Sequence, residues 1–592
     1  MKQFFFIFLS LLATSWAYSF AQSDHLEHLP VLYRLLDENY LPNDNFINEN
    51  LQGYNPRRLF FLLLQPFCKL LGVETVYFCG CWLCNFLLAR VSYLLANELF
   101  SYQKITDSLG LWAALFVLTL SVFGLGESPH LRANFFVPSA VGALIVCYSI
   151  YWGIKSQFLR LGLILGLGAF IHPLLCPLSG AIWFFWLIIY HFYRYQFYFL
   201  AYKRLFWGFF AWLIISVGVI APYYYQNFAA DKLSGQEFAL IYAHFRCPHH
   251  FLPSFFWPQE QNIALAWLAL LLFWFAKGYK FQIVGRRELF LLAGVSATLI
   301  LLLPLGYYWV ELYPSRLWAT VQVFRFLFII KWLVLLFAYR VTQSVPRIPL
   351  LILLLDPLIL LAAELFLALF ARWRYAYRAI WLFVGWAAYA IYPQLGKNAD
   401  VYLYIFALGA SAGFIHYYYN KSRLYFGWFM GCIGLFMGYY LLTPRQIGYE
   451  FIQKACSYQF SIPQIPSDKQ NIAIFVAENT PDTARLLTPP NFAELRLTAS
   501  RSIIIDFKTF PFEDIALKRW HTQIMDIYGY TDKLGFEAVR WAFVPNYLYS
   551  TDTQLNEKAK KYNADFIILY AQTPTLQPIL YQDSLYKLIK RF

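Results

Sequence analysis

From Phe4 to about Thr443 the chain is a nearly unbroken succession of apolar segments, joined by short loops that hold most of the charge. A hydrocarbon layer about 30 Å thick offers no partner to an exposed amide, so a crossing segment must satisfy its own backbone, and a helix does this within itself. Charged residues make up 14% of the chain, against about 25% in soluble domains. Lipid is therefore the solvent for most of this sequence. The expected fold is an all-α polytopic membrane bundle.

Charge placement sharpens that reading. Of 47 basic and 33 acidic residues, 16 and 15 lie from Glu450 to Phe592, which leaves 31 and 18 before Glu450. The basic excess sits in short loops such as Lys155/Arg160 and Lys277–Arg287, the pattern of cytoplasmic loops and not of a nucleic-acid surface. No nucleic-acid partner is expected. Cys79, Cys81 and Cys84 lie in an apolar run without nearby His or acid, so they read as small packing residues and not as a metal cluster.

Helices are expected at about 4–21 (either a first span or a signal peptide), 76–100, 109–125, 135–152, 159–172, 174–192, 206–223, 263–275, 289–305, 321–339, 379–392, 402–418 and 425–442, about 13 in all. Segment 350–370, interrupted by Asp356-Pro357, is expected to form a re-entrant hairpin. Segment 57–72 is either a span or an amphipathic helix lying on the membrane surface. Gly162, Gly166 and Gly168 point to close helix packing. Two units follow: a transmembrane domain over 1–445, whose first extracytoplasmic loop is 22–58, and a soluble α/β domain over 450–592, also extracytoplasmic. In the tail, 472–477, 502–506 and 565–570 read as strands, with helices over 513–528 and 554–562 between them. It holds no Gly-rich phosphate loop, so a binding or lid role is expected.

Candidate chemistry gathers on one membrane face. Asp24 sits where the first helix would emerge, within reach of lipid headgroups, and an acid there can serve as a base. Asp44 and Asp37 could assist it or help hold a divalent cation such as Mg or Mn, which prefers oxygen ligands. Arg57, Arg132, Arg246 and Arg325 could meet a lipid phosphate, since Arg pairs with phosphate bidentately. His172 and Gln322 are candidates for the same cavity, and His244 with His249 and His250 falls on a long loop of that face.

Several segments resemble the GT-C superfamily of polytopic glycosyltransferases, and more closely the bacterial membrane proteins that carry the domain of unknown function 6798. The resemblance rests on Ser23-Asp24-His25-Leu26-Glu27-His28-Leu29-Pro30, Arg34-Leu35-Leu36-Asp37, Asn43-Asp44-Asn45-Phe46 and Tyr54-Asn55-Pro56-Arg57. It continues in Leu131-Arg132-Ala133-Asn134, His172-Pro173, Gln322-Val323-Phe324-Arg325 and Asp506-Phe507-Lys508-Thr509-Phe510-Pro511-Phe512. The resemblance implies a GT-C-like fold with a retained first helix, in the bacterial inner membrane, and Asp24 as catalytic base. It also implies sugar transfer from a polyprenyl-phosphate-type donor to an extracytoplasmic acceptor. The other classes open to such a chain are a transporter or flippase of lipid-linked saccharides and a non-catalytic membrane scaffold.

Overall fold

The computed structural model describes residues 2–53, 55–101, 106–119, 131–196, 202–226, 233–256, 258–341, 357–370, 382–383 and 467–592. Six helices among them are long and apolar enough to cross a membrane: Val73–Leu99, Leu175–Tyr195, Lys203–Ala221, Gln261–Lys280, Arg286–Leu312 and Arg316–Ala338. Five shorter apolar helices, Lys2–Thr14, Leu109–Thr119, Pro138–Ile154, Phe158–Gly168 and Leu358–Phe370, pack with them. The protein is thus a helical membrane bundle that carries a small α/β tail. The spans expected over 379–392, 402–418 and 425–442 lie outside the described residues, apart from 382–383, as does the Asp356 side of the expected hairpin.

Helix Arg58–Leu71 settles the ambiguity over 57–72. Fourteen residues reach about 21 Å, too short to cross. Leu59, Leu62, Leu63, Phe67 and Leu70 are exposed along one face, while Phe60, Phe61 and Cys68 are buried along the other. That is the signature of a helix lying at the lipid boundary. The glycine expectation also holds, because a Cβ on Gly162 would stand 1.9 Å from the Gly208 carbonyl oxygen, so helices Phe158–Gly168 and Lys203–Gln226 touch backbone to backbone.

The tail contains one five-stranded sheet in the order β2-β1-β3-β5-β4. Its strands are β1 (Arg485–Leu487), β2 (Ser502–Ile503), β3 (Phe566–Tyr570), β4 (Ile579–Gln582) and β5 (Tyr586–Lys590). The first three run parallel, and the β4–β5 hairpin closes one edge antiparallel. One expectation fails: 472–477 lies inside helix Ser467–Asn479. Ile472, Ala473 and Val476 are its buried positions, and that spacing follows a helical face. The β-branched side chains were a weaker signal than the period.

Three ties hold the tail on the face that carries the first loop. Arg496, 1% exposed, bridges Asp44 of the first loop (2.8 Å) and Asp506 of the tail (2.6 Å). Arg316 grips Asp514 through two bonds of 2.7 and 2.5 Å. The long loop 233–256 inserts Phe245 among Phe507, Trp520, His521 and Phe543, so loop and tail share one apolar core.

Removing one partner of a buried ion pair strands the other, at a cost of about 3–5 kcal/mol. Asp44→Asn or Arg496→Met should therefore lower the thermal unfolding midpoint sharply and open the junction to limited proteolysis, whereas Lys561→Ala, at an exposed pair with Asp526, should do neither. Burial pushes the Glu49 carboxyl up to about 7, against the pull of Arg519. A folded value above the unfolded one means that the contribution of Glu49 to stability is fully present below about pH 4.5 and is lost as pH rises through 7. Glu49→Gln should flatten the midpoint-against-pH curve over that window.

Candidate functional site

The chain presents Asp24 through a strained turn. Ala21 and Ser23 take left-handed backbone conformations, φ 55° and 50°, just before helix His25–Leu36. Neither is glycine, and such residues cost on the order of 1 kcal/mol or more. Asp24 is the N-cap residue, yet its carboxylate makes no cap bond. The side chain is 45% exposed although protein surrounds it, because it borders two adjoining cavities.

The first cavity, about 230 Å³, has walls of Ile171, Leu174, Ile220 and Val321, with His28, His172 and Gln322 supplying polar atoms. The second, about 380 Å³, is lined by Glu27, Arg246, His249, Asn491 and Lys508 among others. Asp24, Arg57, Tyr242, Arg325 and Phe510 border both. Irregular backbone positions several of these groups. Tyr242 and Arg246 sit in a π-helical turn, Leu240–Arg246, of the kind found at functional sites. Gln322 is left-handed at φ 52° and breaks the Arg316–Ala338 helix, which turns Gln322 and Arg325 to the cavity. Gln322 donates to the Tyr242 hydroxyl at 2.8 Å.

Charge at the junction is unbalanced. Glu27, whose side chain is 4% exposed, faces Arg57 at 2.6 Å, Arg246 at 3.4 Å and Lys508 at 3.7 Å. Lys508 also reaches Asp24 at 3.3 Å. Among the described residues Arg325 has neither an ion pair nor a side-chain hydrogen bond, and its Nε is buried without a partner. Four cations thus confront two carboxylates, a surplus that suits an anion. Burial alone would raise the Asp24 carboxyl, but Lys508, Arg57 and Arg325 hold it well below the usual carboxylate range. The neighbouring imidazoles go the other way: burial, then Arg325 and Arg57, pushes His172 down to about 3, and burial holds His28 well below its ordinary value. Both rings are neutral at physiological pH, and neither nitrogen of His28 has a partner among the described residues.

Eight residues nominated from the sequence meet here: Asp24, Arg57, His172, Arg246, His249, His250, Gln322 and Arg325. Four lie elsewhere. Asp44 is buried under Arg496, caps helix Asn45–Gln52 and accepts from the Ile503 amide, an architectural post. Asp37 is exposed and accepts from the Asn39 amide in a turn. Arg132 is buried beside Asn134, bordering neither cavity. His244 bonds the Val310 carbonyl. Glu27, His28, Tyr242 and Lys508 are the junction residues that the sequence reading did not nominate. Glu27 and His28 follow Asp24 by three and four positions, one helical turn, and that spacing was available as a signal.

Among the described residues no group of three His, Cys, Asp or Glu could hold a metal ion. Asp44 is held by Arg496 and Asp37 lies in an exposed turn, so neither of the donors expected beside Asp24 for a divalent cation borders its cavities.

A model for a domain of unknown function, DUF6798, matches residues 467–527. No curated protein matches the chain by sequence. Among solved structures the chain is similar to ArnT from Cupriavidus metallidurans in the apo state, with 9% identity, TM-score 0.44, and 99% of this chain and 96% of that one covered. The same protein bound to undecaprenyl phosphate gives 10% identity, TM-score 0.45 and the same coverage. The archaeal oligosaccharyltransferase AglB from Archaeoglobus fulgidus gives 13% identity and TM-score 0.39, over 96% of this chain and 69% of that one. These likenesses are too distant to carry function, which has to come from the side chains.

The geometry separates two acids that look alike in sequence. Glu27→Gln should lower stability by about 3–5 kcal/mol, because it strands buried cations. Asp24→Asn, at a half-exposed carboxylate, should change it by less than about 1 kcal/mol. Thermal unfolding of the two variants side by side reads the difference.

Proposed function

We propose that this protein is a membrane glycosyltransferase that moves a sugar from a polyprenyl-phosphate-type lipid donor to an extracytoplasmic acceptor, in a bacterial inner membrane. The observation that carries the reading is the junction itself, where an ionised carboxylate and surplus cations stand between an apolar-walled cavity and a polar one. The apolar-walled cavity suits the donor. Leu317 lines it and is 58% exposed, which gives a prenyl chain a way in from the bilayer. The polar cavity, roofed by the tail, suits an acceptor entering from the aqueous side.

In this reading an acceptor hydroxyl attacks the anomeric carbon while the bond from that carbon to the phosphate oxygen breaks. The departing electron pair goes to the phosphate, and Arg325 and Arg57 steady the charge. The hydroxyl proton goes to Asp24. A carboxylate held well below its usual range is a weak base, but it is ionised at every physiological pH. The acceptor oxygen also becomes strongly acidic as its new bond forms, so a weak base in the right place suffices. Neutral His28 and His172 offer hydrogen bonds to the sugar without adding charge. Arg246, occupied by Glu27 and by three phenylalanine rings within 5.6 Å, braces the site more than it binds phosphate. The open cavities under the first loop weigh against a scaffold with a filled interior.

With purified protein in lipid and a radiolabelled polyprenyl-linked sugar, Asp24→Asn should cost about a hundredfold or more in turnover, while Arg325→Met should weaken donor binding. Full turnover by Asp24→Asn would remove Asp24 from the role.

A further inference from the structure

We infer that Lys508, delivered by the tail, occupies the place between Asp24 and Glu27 that a divalent cation would otherwise take, so that the junction carries its own built-in cation. Its effect on turnover rests on the transferase reading above; the occupancy does not. Lys508 Nζ lies 3.3 Å from an Asp24 oxygen and 3.7 Å from a Glu27 oxygen. Two carboxylates one helical turn apart, facing one cavity, are the beginning of an oxygen-ligand site. Here the shared position between them is filled by an ammonium group.

Lys508 is not a loose surface lysine. Its backbone carbonyl accepts from Arg246 Nη2 at 2.5 Å. On one side Asp506 is pinned by Arg496 at 2.6 Å and accepts from the Thr509 amide at 2.7 Å. On the other, Phe510 packs against the Arg246 guanidinium at 4.9 Å. The segment that bears the lysine is therefore fixed by buried contacts before and after it, and the ammonium arrives at a set position. Lys508 acts through Asp24, whose one ion-pair partner among the described residues it is, so it is a positioning residue. The tail is then part of the site and not a separate accessory.

Mn²⁺ binding by the full chain in detergent, read by electron paramagnetic resonance, tests this without any transferase assay. The wild type should take up no Mn²⁺ that Asp24→Asn abolishes. Lys508→Ala, with its unfolding midpoint checked, should gain one Mn²⁺ site that is lost again in the Lys508→Ala/Asp24→Asn double variant, and Lys508→Arg should gain none. Mn²⁺ bound by the wild type and lost in Asp24→Asn would overturn the inference, as would a folded Lys508→Ala that binds none. The wild-type comparison stands even if Lys508→Ala does not fold. If these results come out as expected while no lipid-linked sugar is ever transferred, the built-in cation stands and the transferase reading falls.

Discussion

One buried carboxylate, Glu27, holds the working face of this protein together. Its three cationic neighbours come from three distant parts of the chain: Arg57 at the lipid-boundary helix, Arg246 on the long loop and Lys508 on the tail. A carboxylate taken out of water is costly unless its charge is met and its lone pairs are filled. That cost is what couples the three segments, since none of them can withdraw without leaving uncompensated charge. Asp24, one turn earlier on the same helix, then inherits its surroundings from an arrangement built to satisfy Glu27.

The backbone departs from regularity where this face is assembled. Left-handed Ala21 and Ser23, the π-helical turn at Leu240–Arg246 and left-handed Gln322 each break an otherwise simple element beside the junction. Nonregular backbone packed this closely needs protein or a cavity around it to satisfy its polar groups. Each break frees a polar side chain from the surface of its own element and turns it inward. The strain is held by the packed tail above and the bundle below.

The membrane class and the glycine contact were legible because hydropathy and spacing are local properties, whereas segment 57–72 read equally as a span or a surface helix until its length and burial were known. Asp24 also stood out as a candidate, since an acid directly after a hydrophobic segment is conspicuous, and it does border both cavities. The partners were harder to see. Lys508 stands 484 residues from Asp24, and no periodicity relates the two. Asp44 looked like Asp24 in sequence, yet a buried guanidinium claims it, and which arginine meets which acid is decided by tertiary packing alone. The helix over Ser467–Asn479 was missed because β-branched content was read in place of the period, and the β4–β5 hairpin, two short strands of mixed polar and apolar residues, was not read at all.

The shared apolar core between loop 233–256 and the tail bears on how the protein can be taken apart. Cut free near residue 466, the tail would keep its sheet but lose the aromatic plug formed by Phe245, leaving Phe507, Trp520 and Phe543 around an unfilled, greasy socket. Such a fragment would seek another hydrophobic surface to cover that socket. The natural unit for dissection is therefore not the tail as the chain order draws it, but the tail together with the loop that completes it.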